Sequence, residues 1–302
     1  MRVAELIRFA AGELGRAGIA DADSDVLLLL GHCLGKTRTG LFLAAEEEVP
    51  EAARLAFLEL LARRRQREPL AYILGEREFW SLPFAVSPAV LIPRPETEFM
   101  LEQVIAACRK RTLPAGRILD LCCGSGVIAI VLALELGRKV IAVDLSEDAL
   151  AVADQNCRRH GVAEQIGLIR ADLLSAFADR RVFSLAVSNP PYVSSDDIRR
   201  TLEPEVADHE PRLALDGGEL GLDVIERIRD GLPAVMLPGG EVFIEIGAEQ
   251  GQAVRNIFSE PVNSVCYFQD VEILQDYAGR DRVLHARICS QPDKEQHGKT
   301  DS

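Results

Sequence analysis

Asn189-Pro190-Pro191-Tyr192 directly follows the apolar segment Phe183 to Ser188 and could hold a planar NH2 group. Two prolines fix φ and remove two backbone donors, so nearby carbonyls can face outward without internal partners. The Asn189 side-chain oxygen and the Pro190 carbonyl could accept both N–H bonds, while Tyr192 stacks over the group. We predict Asn189, Pro190 and Tyr192 as catalytic, and Asn189 to Tyr192, including Pro191, as the substrate-binding segment. An ordinary strand-ending turn is the alternative.

The chemistry that suits this motif is transfer to a weakly nucleophilic nitrogen. The lone pair of a conjugated NH2 group is delocalised, so the group must be aimed at its electrophile. Positioning of this kind can lower a barrier by about 7–11 kcal/mol at best. No strong general base is required, because the excess proton can leave after the transfer.

A second candidate site is the small-residue turn Cys122-Cys123-Gly124-Ser125-Gly126, which follows the apolar segment Arg117 to Leu121. Glycines let the backbone approach a ligand closely, because a side chain would block it. The turn is not G-x-G-x-x-G and contains no basic residue, so a dinucleotide is disfavoured. A plain strand-to-helix turn is again the alternative.

Three acidic residues, Asp120, Asp144 and Asp172, lie near the ends of three successive predicted strands. Asp144 follows the turn by about 20 residues, where an acid can bind both hydroxyls of a ribose. Asp172 lies where an adenine ring would be. A cationic sulfonium, a diol and an adenine together indicate S-adenosylmethionine as the cofactor, and no metal site is predicted.

Alternating strands and helices position these residues after Glu96. Helices fall between the first five strands, which predicts an α/β, Rossmann-like, seven-stranded and mostly parallel sheet. Ligands bind such sheets outside the carboxyl ends of the strands. The predicted strands are Arg117–Leu121, Lys139–Val143, Ile166–Arg170, Phe183–Ser188, Gly240–Ile246, Val271–Gln275 and Arg282–Arg287, the last two joined as a hairpin by Asp276–Asp281.

The region before the sheet has a helical period, which predicts a small all-α N-terminal domain over residues 1–70. Its basic stretch Arg63, Arg64, Arg65, Arg67 is interpreted as a solvated helix end. Residues 71–95 are predicted as a β-hairpin-like linker, residues 96–290 as the methyltransferase domain, and residues 291–302 as a disordered tail.

Composition limits the partners. A formal charge of −13 over 302 residues argues against a broad basic face for nucleic acid. The seven scattered cysteines form no metal-ligand spacing and no disulfide framework. Met1 to Ala20 is amphipathic and no apolar run could span a bilayer, so we expect a cytoplasmic protein without membrane contact.

The chain resembles the PrmC/HemK protein-glutamine methyltransferases, which modify the glutamine of the Gly-Gly-Gln loop in class I peptide release factors. The resemblance runs to about Ile288. The Asn189–Tyr192 motif is shared with adenine-N6 methyltransferases, whereas Pro93–Glu98 and the helical N-terminal domain separate the two groups. The matching segments are Glu68–Trp80, Leu91–Glu98, Asn189–Tyr192, His209–Gly218 and Asp276–Arg282.

The resemblance implies an enzyme that uses S-adenosylmethionine and whose N-terminal domain binds the release factor. We expect the enzyme to be a monomer. The chain departs from the family pattern at Cys122, where a glycine is expected, and at Leu173, where some relatives carry an aromatic residue. Adenine packing at Leu173 would therefore be aliphatic. The cofactor-binding residues so predicted are Cys122, Cys123, Gly124, Ser125, Gly126, Asp144, Asp172, Leu173 and Asn189.

Three other functions stay open at this point. An adenine-N6 methyltransferase on nucleic acid would need a basic groove, which the net charge disfavours. A glutamine methyltransferase of a ribosomal protein would share the acceptor chemistry. A non-catalytic scaffold with this fold is disfavoured by the intact Asn189–Tyr192 motif.

Overall fold

The computed structural model describes residues 1–262 and 265–294. The chain divides into two compact units. One unit is Met1–Glu76 together with the later segment Glu203–His209, and the other is Arg77–Leu202 together with the chain from Glu210 onward. The first unit is therefore discontinuous in sequence, a feature that the predicted boundary at residue 70 did not anticipate.

The first unit is helical, in agreement with the predicted all-α N-terminal region. An apolar stripe along its first helix, Val3, Leu6, Ala10 and Leu14, is buried in the core of the unit. The second helix ends at Gly35, whose φ of +62° is the left-handed conformation that glycine adopts at low cost. Its helices are α1 (Val3–Arg16), α2 (Ala22–Leu34), α3 (Arg38–Leu43), α4 (Glu51–Arg65), α5 (Leu70–Leu74) and α10 (Pro204–His209).

Arg64 lies inside this unit, so its interpretation as part of a solvated helix end is wrong. Its Nε donates to Asp25 Oδ2 at 2.7 Å and its Nη1 to Glu205 Oε1 at 3.0 Å. Arg67 Nη2 donates to the other oxygen of Glu205 at 2.7 Å. Arg65, by contrast, is exposed. The partner Glu205 lies 141 residues away in sequence, so local periodicity could not reveal it.

The second unit contains a seven-stranded sheet of order β5-β4-β3-β6-β7-β9-β8, which confirms the predicted fold class. β9 pairs antiparallel with β7 and β8, and the other pairings are parallel. A separate two-stranded sheet, β1 and β2, precedes it. The strands are β1 (Glu76–Phe79), β2 (Leu82–Ala85), β3 (Arg117–Leu121), β4 (Val140–Asp144), β5 (Ile166–Arg170), β6 (Phe183–Ser188), β7 (Met236–Glu245), β8 (Val265–Gln275) and β9 (Asp281–Lys294).

Helices cover both faces of the large sheet. Successive strand residues point to opposite faces, so Ile118 belongs to the core beneath α6, α7 and α8, and Leu119 to the core beneath α11 and α12. A 3₁₀ turn spans Arg212–Ala214. The helices are α6 (Pro95–Lys110), α7 (Val127–Leu136), α8 (Glu147–Arg159), α9 (Ser195–Arg200), α11 (Asp223–Val235) and α12 (Gly251–Ser259).

Strand β9 runs to Lys294 and so includes the first residues of the predicted tail. Residues 295–302, the rest of that tail, lie outside the described residues. Within residues 1–262 and 265–294, no helix combines the length and the hydropathy needed to cross a membrane.

Candidate active site

The carboxyl ends of β3, β4, β5 and β6 surround one cavity of about 200 Å³. This is the edge of the sheet where parallel α/β folds bind ligands. Among the described residues, Gly126, Pro190 and Tyr192 are predicted site residues that do not line it. The predicted residues that do are Cys122, Cys123, Gly124, Ser125, Asp144, Asp172, Leu173, Asn189 and Pro191.

The glycines of the turn after β3 have different roles. Gly124 has a φ of +53°, and a Cβ built there meets no atom within 4 Å, so the backbone borders open space at the cavity wall. Gly126 has a φ of +81°, and its Cβ would lie 3.1 Å from the Cβ of Ala153. Gly126 therefore permits close packing of α7 against α8. Cys122 has a φ of +59° despite its side chain.

Asp144, at the end of β4, fixes the turn and the next helix together. Its Oδ2 accepts the backbone N–H of Gly124 at 2.8 Å, and its Oδ1 accepts that of Ser146 at 2.9 Å. Ser146 in turn caps α8 by accepting from the Ala149 N–H. The carboxylate is thus held rigidly at the cavity wall, with lone pairs remaining for a ligand.

Asp172 and Leu173 follow β5 and line the cavity beside α11. Asp172 is half exposed and accepts from Arg227 Nη2 at 2.8 Å. Leu173 adopts a φ of +50°, which is uncommon for a branched side chain. Arg227 also lines the cavity and was not identified from the sequence, because it lies on a helix 55 residues after Asp172.

Asp120 does not belong to the cavity wall, which corrects its grouping with Asp144 and Asp172. Its side chain is fully buried, and its Oδ2 accepts the N–H of Ala129, the third residue of α7, at 3.0 Å. Among the described residues its Oδ1 has no hydrogen-bond partner. Burial raises the pKa of Asp120 well above its ordinary value. Asp120 therefore caps the start of α7 from inside the sheet.

The cysteines of the turn are not activated thiols. Burial raises the pKa of Cys122, and the charges of Asp144 and Asp120 raise it further. Burial raises the pKa of Cys123 as well. A thiol becomes a good nucleophile only as its thiolate, and a raised pKa disfavours the thiolate. We therefore interpret Cys122 and Cys123 as small side chains that fill a tight turn.

The acceptor motif leaves β6 with its first residue anchored. Ser188 Oγ donates to the Leu121 carbonyl at 2.8 Å, which ties the ends of β6 and β3 together. Half-buried Asn189 donates from Nδ2 to Thr97 Oγ1 at 3.1 Å. Pro190 is buried. Asn189 is therefore held at the cavity with its amide nitrogen already bound.

Tyr192 does not line the cavity and instead binds two residues near it. Its hydroxyl donates to Glu245 Oε1 at 3.1 Å, and its carbonyl accepts from Gln250 Nε2 at 2.9 Å. Burial raises the pKa of Tyr192, and the Glu245 charge adds to this effect, so the phenol stays a neutral donor. The sequence analysis predicted that the Tyr192 ring stacks over the acceptor group, whereas in the structure its hydroxyl is bound to Glu245.

Thr97 and Glu245 are site residues that the sequence analysis missed. The Thr97 hydroxyl donates to Glu245 Oε2 at 2.6 Å, and both side chains are buried. Burial raises the pKa of Glu245, against the opposing effect of the Thr97 and Tyr192 hydrogen bonds. The available signal was an acid at the end of the otherwise apolar stretch Val242–Ile246.

Glu210 is a further missed residue, bound to the rim of the cavity at Arg94. Its side chain is buried, and it accepts the Ile92 N–H at 3.1 Å and Arg94 Nη2 at 2.5 Å. Burial raises its pKa, while Arg94 acts in the other direction. Arg94 and Pro93 line the cavity, so Glu210 holds this rim in place.

Comparison with known proteins agrees with this architecture. Residues 5–75 match the PrmC N-terminal domain family, and residues 96–234 match the methyltransferase small domain family. A release factor glutamine methyltransferase of Geobacter sulfurreducens is 38% identical over 95% of this chain and 96% of its own length. One of Vibrio cholerae is 41% identical over 92% of this chain and 93% of its own length.

The chain belongs to the release factor glutamine methyltransferase family. As a member of this family it is a methyltransferase. Solved structures share its fold at low identity. A methyltransferase from Pyrococcus furiosus has a TM-score of 0.51 at 15% identity, covering 75% of this chain and 98% of that one. The catalytic domain of hMettl16, in complex with the MAT2A 3'UTR hairpin 6, has a TM-score of 0.53 at 15% identity, covering 78% and 84%.

Proposed function

We propose that this chain transfers a methyl group from S-adenosylmethionine to the side-chain amide nitrogen of the glutamine in the Gly-Gly-Gln motif of class I peptide release factors. One observation carries the proposal. Asn189 lies at the cavity with its Nδ2 bound to Thr97, and its Oδ1, which has no hydrogen-bond partner within the described part of the chain, can accept from an NH2 group. Near full-length similarity to release factor glutamine methyltransferases supports the choice of acceptor.

The cavity residues fit S-adenosylmethionine. Gly124 gives backbone access without a side chain, Asp144 offers a fixed carboxylate for a ribose diol, and Leu173 offers an apolar surface for adenine. When bound, the cofactor supplies a methyl group on a sulfonium. The cavity wall carries the carboxylates of Asp144, Asp172 and Asp216 together with the guanidinium groups of Arg94 and Arg227, and a carboxylate attracts such a positive charge.

The residues of the chain act on the acceptor by orientation. The Asn189 Oδ1 accepts one N–H bond of the glutamine amide at the cavity. The carbonyl of Pro190, a buried residue that does not itself line the cavity, would accept the other, so that the lone pair of the nitrogen points at the methyl group. With S-adenosylmethionine bound, its methyl group would pass from sulfur to this nitrogen, which would lose one proton after the transfer, and the part of Asn189 and Pro190 would be to hold the amide in place. Holding a weak nucleophile in a fixed orientation lowers the activation barrier, because less entropy is lost on reaching the transition state.

Mass spectrometry of purified release factor after incubation with the enzyme and S-adenosylmethionine tests the proposal. We expect one added methyl on the Gly-Gly-Gln glutamine, abolished in Asn189→Ala. Asn256→Ala is the matched control, because Asn256 is exposed on α12. An unmodified release factor, with methylated ribosomal protein or nucleic acid instead, refutes the proposed acceptor.

The first unit is proposed as the module that binds the release factor outside its glutamine loop. Phe42 and Leu43, adjacent on α3, are 80% and 79% exposed. Large apolar side chains this exposed commonly mark protein contacts.

The double substitution Phe42→Ser, Leu43→Ser tests this proposal. We expect a higher KM for intact release factor but unchanged kinetics on a short Gly-Gly-Gln peptide. Leu134→Ser, at an exposed leucine of the second unit, is the control. An unchanged KM for intact release factor contradicts the proposed role.

A further inference from the structure

We propose that Thr97 and Glu245 are positioning residues that determine which way the Asn189 amide faces, so that its oxygen and not its nitrogen meets the acceptor. This inference rests on the proposed function, because it concerns an acceptor that presents N–H bonds. Thr97 lines the cavity and Glu245 does not, and the role proposed for both is to orient Asn189.

The direction of the hydrogen bonds is set at Glu245. Glu245 accepts on both of its carboxyl oxygens, from Thr97 and from Tyr192, and a threonine hydroxyl has a single proton to donate. Thr97 lies 2.6 Å from Glu245 Oε2, so its proton points at the carboxylate. The remaining lone pairs of Thr97 Oγ1 can then only accept, so the group 3.1 Å away on Asn189 must be the NH2.

Tyr192 keeps the carboxylate from rotating out of this arrangement. Its hydroxyl donates to Glu245 Oε1, so each carboxylate oxygen accepts from one hydroxyl. Glu245 is fully buried, and the charges that act on it come from Arg282, which favours the carboxylate, and Glu96, which opposes it. The chain of donors thus runs in one direction, from Asn189 through Thr97 to Glu245.

A reversed Asn189 would have a direct chemical cost. The oxygen and nitrogen of an amide are nearly equal in size, so shape alone does not select between the two orientations. With the amide reversed, Asn189 would present N–H groups to the N–H groups of the acceptor. The Pro190 carbonyl would then be the only acceptor of the pair, and the nitrogen would lose its fixed direction.

Thr97→Val and Thr97→Ser separate this role from simple packing. Valine keeps the shape but removes the hydroxyl, whereas serine keeps the hydroxyl. We expect Thr97→Val to lower kcat at least tenfold, with the Kd of S-adenosylmethionine and the KM for release factor within threefold of wild type. Thr97→Ser should stay within threefold throughout. A Thr97→Val kcat near that of wild type, or a loss matched by Thr97→Ser, overturns the proposal.

Two substitutions address Glu245 itself. Glu245→Gln can turn its amide oxygen toward Thr97 and should retain most of the kcat. Glu245→Met cannot accept from Thr97, which frees the threonine proton to point at Asn189, so kcat should fall as in Thr97→Val. If Glu245→Met folds and keeps wild-type kcat, Glu245 has no part in the arrangement. Thr97→Val decides the question if Glu245→Met does not fold.

A spectroscopic readout is independent of turnover. The chain has four asparagines, so selective 15N-asparagine labelling gives four side-chain NH2 signals, and Asn189→Ala identifies the one of interest. We expect the Asn189 NH2 signal to be shifted and slow to exchange with water in wild type and in Thr97→Ser, but not in Thr97→Val. An unchanged signal in Thr97→Val overturns the proposal. If wild type fails to methylate release factor, the proposed function fails while this spectrum still tests the orientation of Asn189.

Discussion

The backbone N–H of Gly124 donates a 2.8 Å hydrogen bond to the carboxylate of Asp144, which joins the turn after β3 to the end of β4. One side chain therefore shapes the glycine turn and also presents an acid to the cavity. A substitution in the turn or at Asp144 should therefore disturb both, so single substitutions at either place test the proposed cofactor site.

Asp144→Asn should weaken S-adenosylmethionine binding about 10–100-fold. An asparagine places an NH2 group against the N–H of either Gly124 or Ser146, and a hydrogen bond to a charged group contributes about 1.5–3 kcal/mol. Isothermal titration calorimetry measures the Kd. Asp148→Asn, at an exposed acid on α8, should bind as wild type does. Equal affinities for the two variants would falsify the role of Asp144.

Gly124→Ala and Gly126→Ala should fail in different ways. Both residues have positive φ, where an alanine costs about 1–2 kcal/mol. Gly126→Ala must also displace Ala153, so its free energy of unfolding should fall further. Gly124→Ala places a methyl group in open space at the cavity wall, so it should lose more cofactor affinity than stability. Urea denaturation and calorimetry on both variants check this, and the reverse ranking would contradict it.

Arg64→Ala should lower the free energy of unfolding by about 3–5 kcal/mol, because it leaves the buried charge of Asp25 without its partner and leaves Glu205 with Arg67 alone. Arg65→Ala is the control, at an arginine whose side chain is 54% exposed and paired with Glu13. Such exposed pairs contribute at most about 1 kcal/mol. Equal losses in denaturation experiments would show that the buried network is not stabilising.

Glu241 should contribute a stability that disappears in acid. Burial raises its pKa, but the hydrogen bond with His285 and the charges of His285 and Arg111 outweigh burial, so the net pKa lies below the ordinary 4.5. A carboxyl with a lowered folded-state pKa stabilises fully above its unfolded value, and loses this contribution as the pH falls through the folded value.

The difference in the free energy of unfolding between wild type and Glu241→Gln measures that contribution. The gap in the free energy of unfolding should shrink, on the order of 1 kcal/mol, as the pH falls below 4.5. Urea denaturation between pH 7 and pH 3 gives both curves. A gap that stays constant or grows in acid contradicts the assignment.

The sequence predicted the strands that carry the site better than those at the sheet edge. β3, β5 and β6 begin and end at the predicted residues, because each is a short, largely apolar segment bounded by turn residues. β7 begins at Met236, before the predicted Gly240, and β9 continues past Arg287. The ends of these strands depend on partner strands, which local patterning does not report.

The missed site residues share one physical cause. Thr97 and Glu245 are 148 residues apart, and Glu210 is 118 residues from Ile92. Each is a buried polar group whose partner is brought close only by the folded chain. Asp120 shows the opposite error: proximity to a strand end suggested a ligand, but the alternation of side chains along β3 directs it into the core.

The placement of Glu203–His209 with the first helical unit has a consequence for how the protein is made. A ribosome that has translated residues 1–76 has not yet produced Glu205, the acid that Arg64 and Arg67 both bind. During synthesis these arginines therefore lack that partner until the ribosome has translated past the acceptor motif Asn189–Tyr192 and reached Glu205. The first unit is therefore completed only after Glu203–His209 has been made, and a fragment that ends near residue 76 lacks part of this unit.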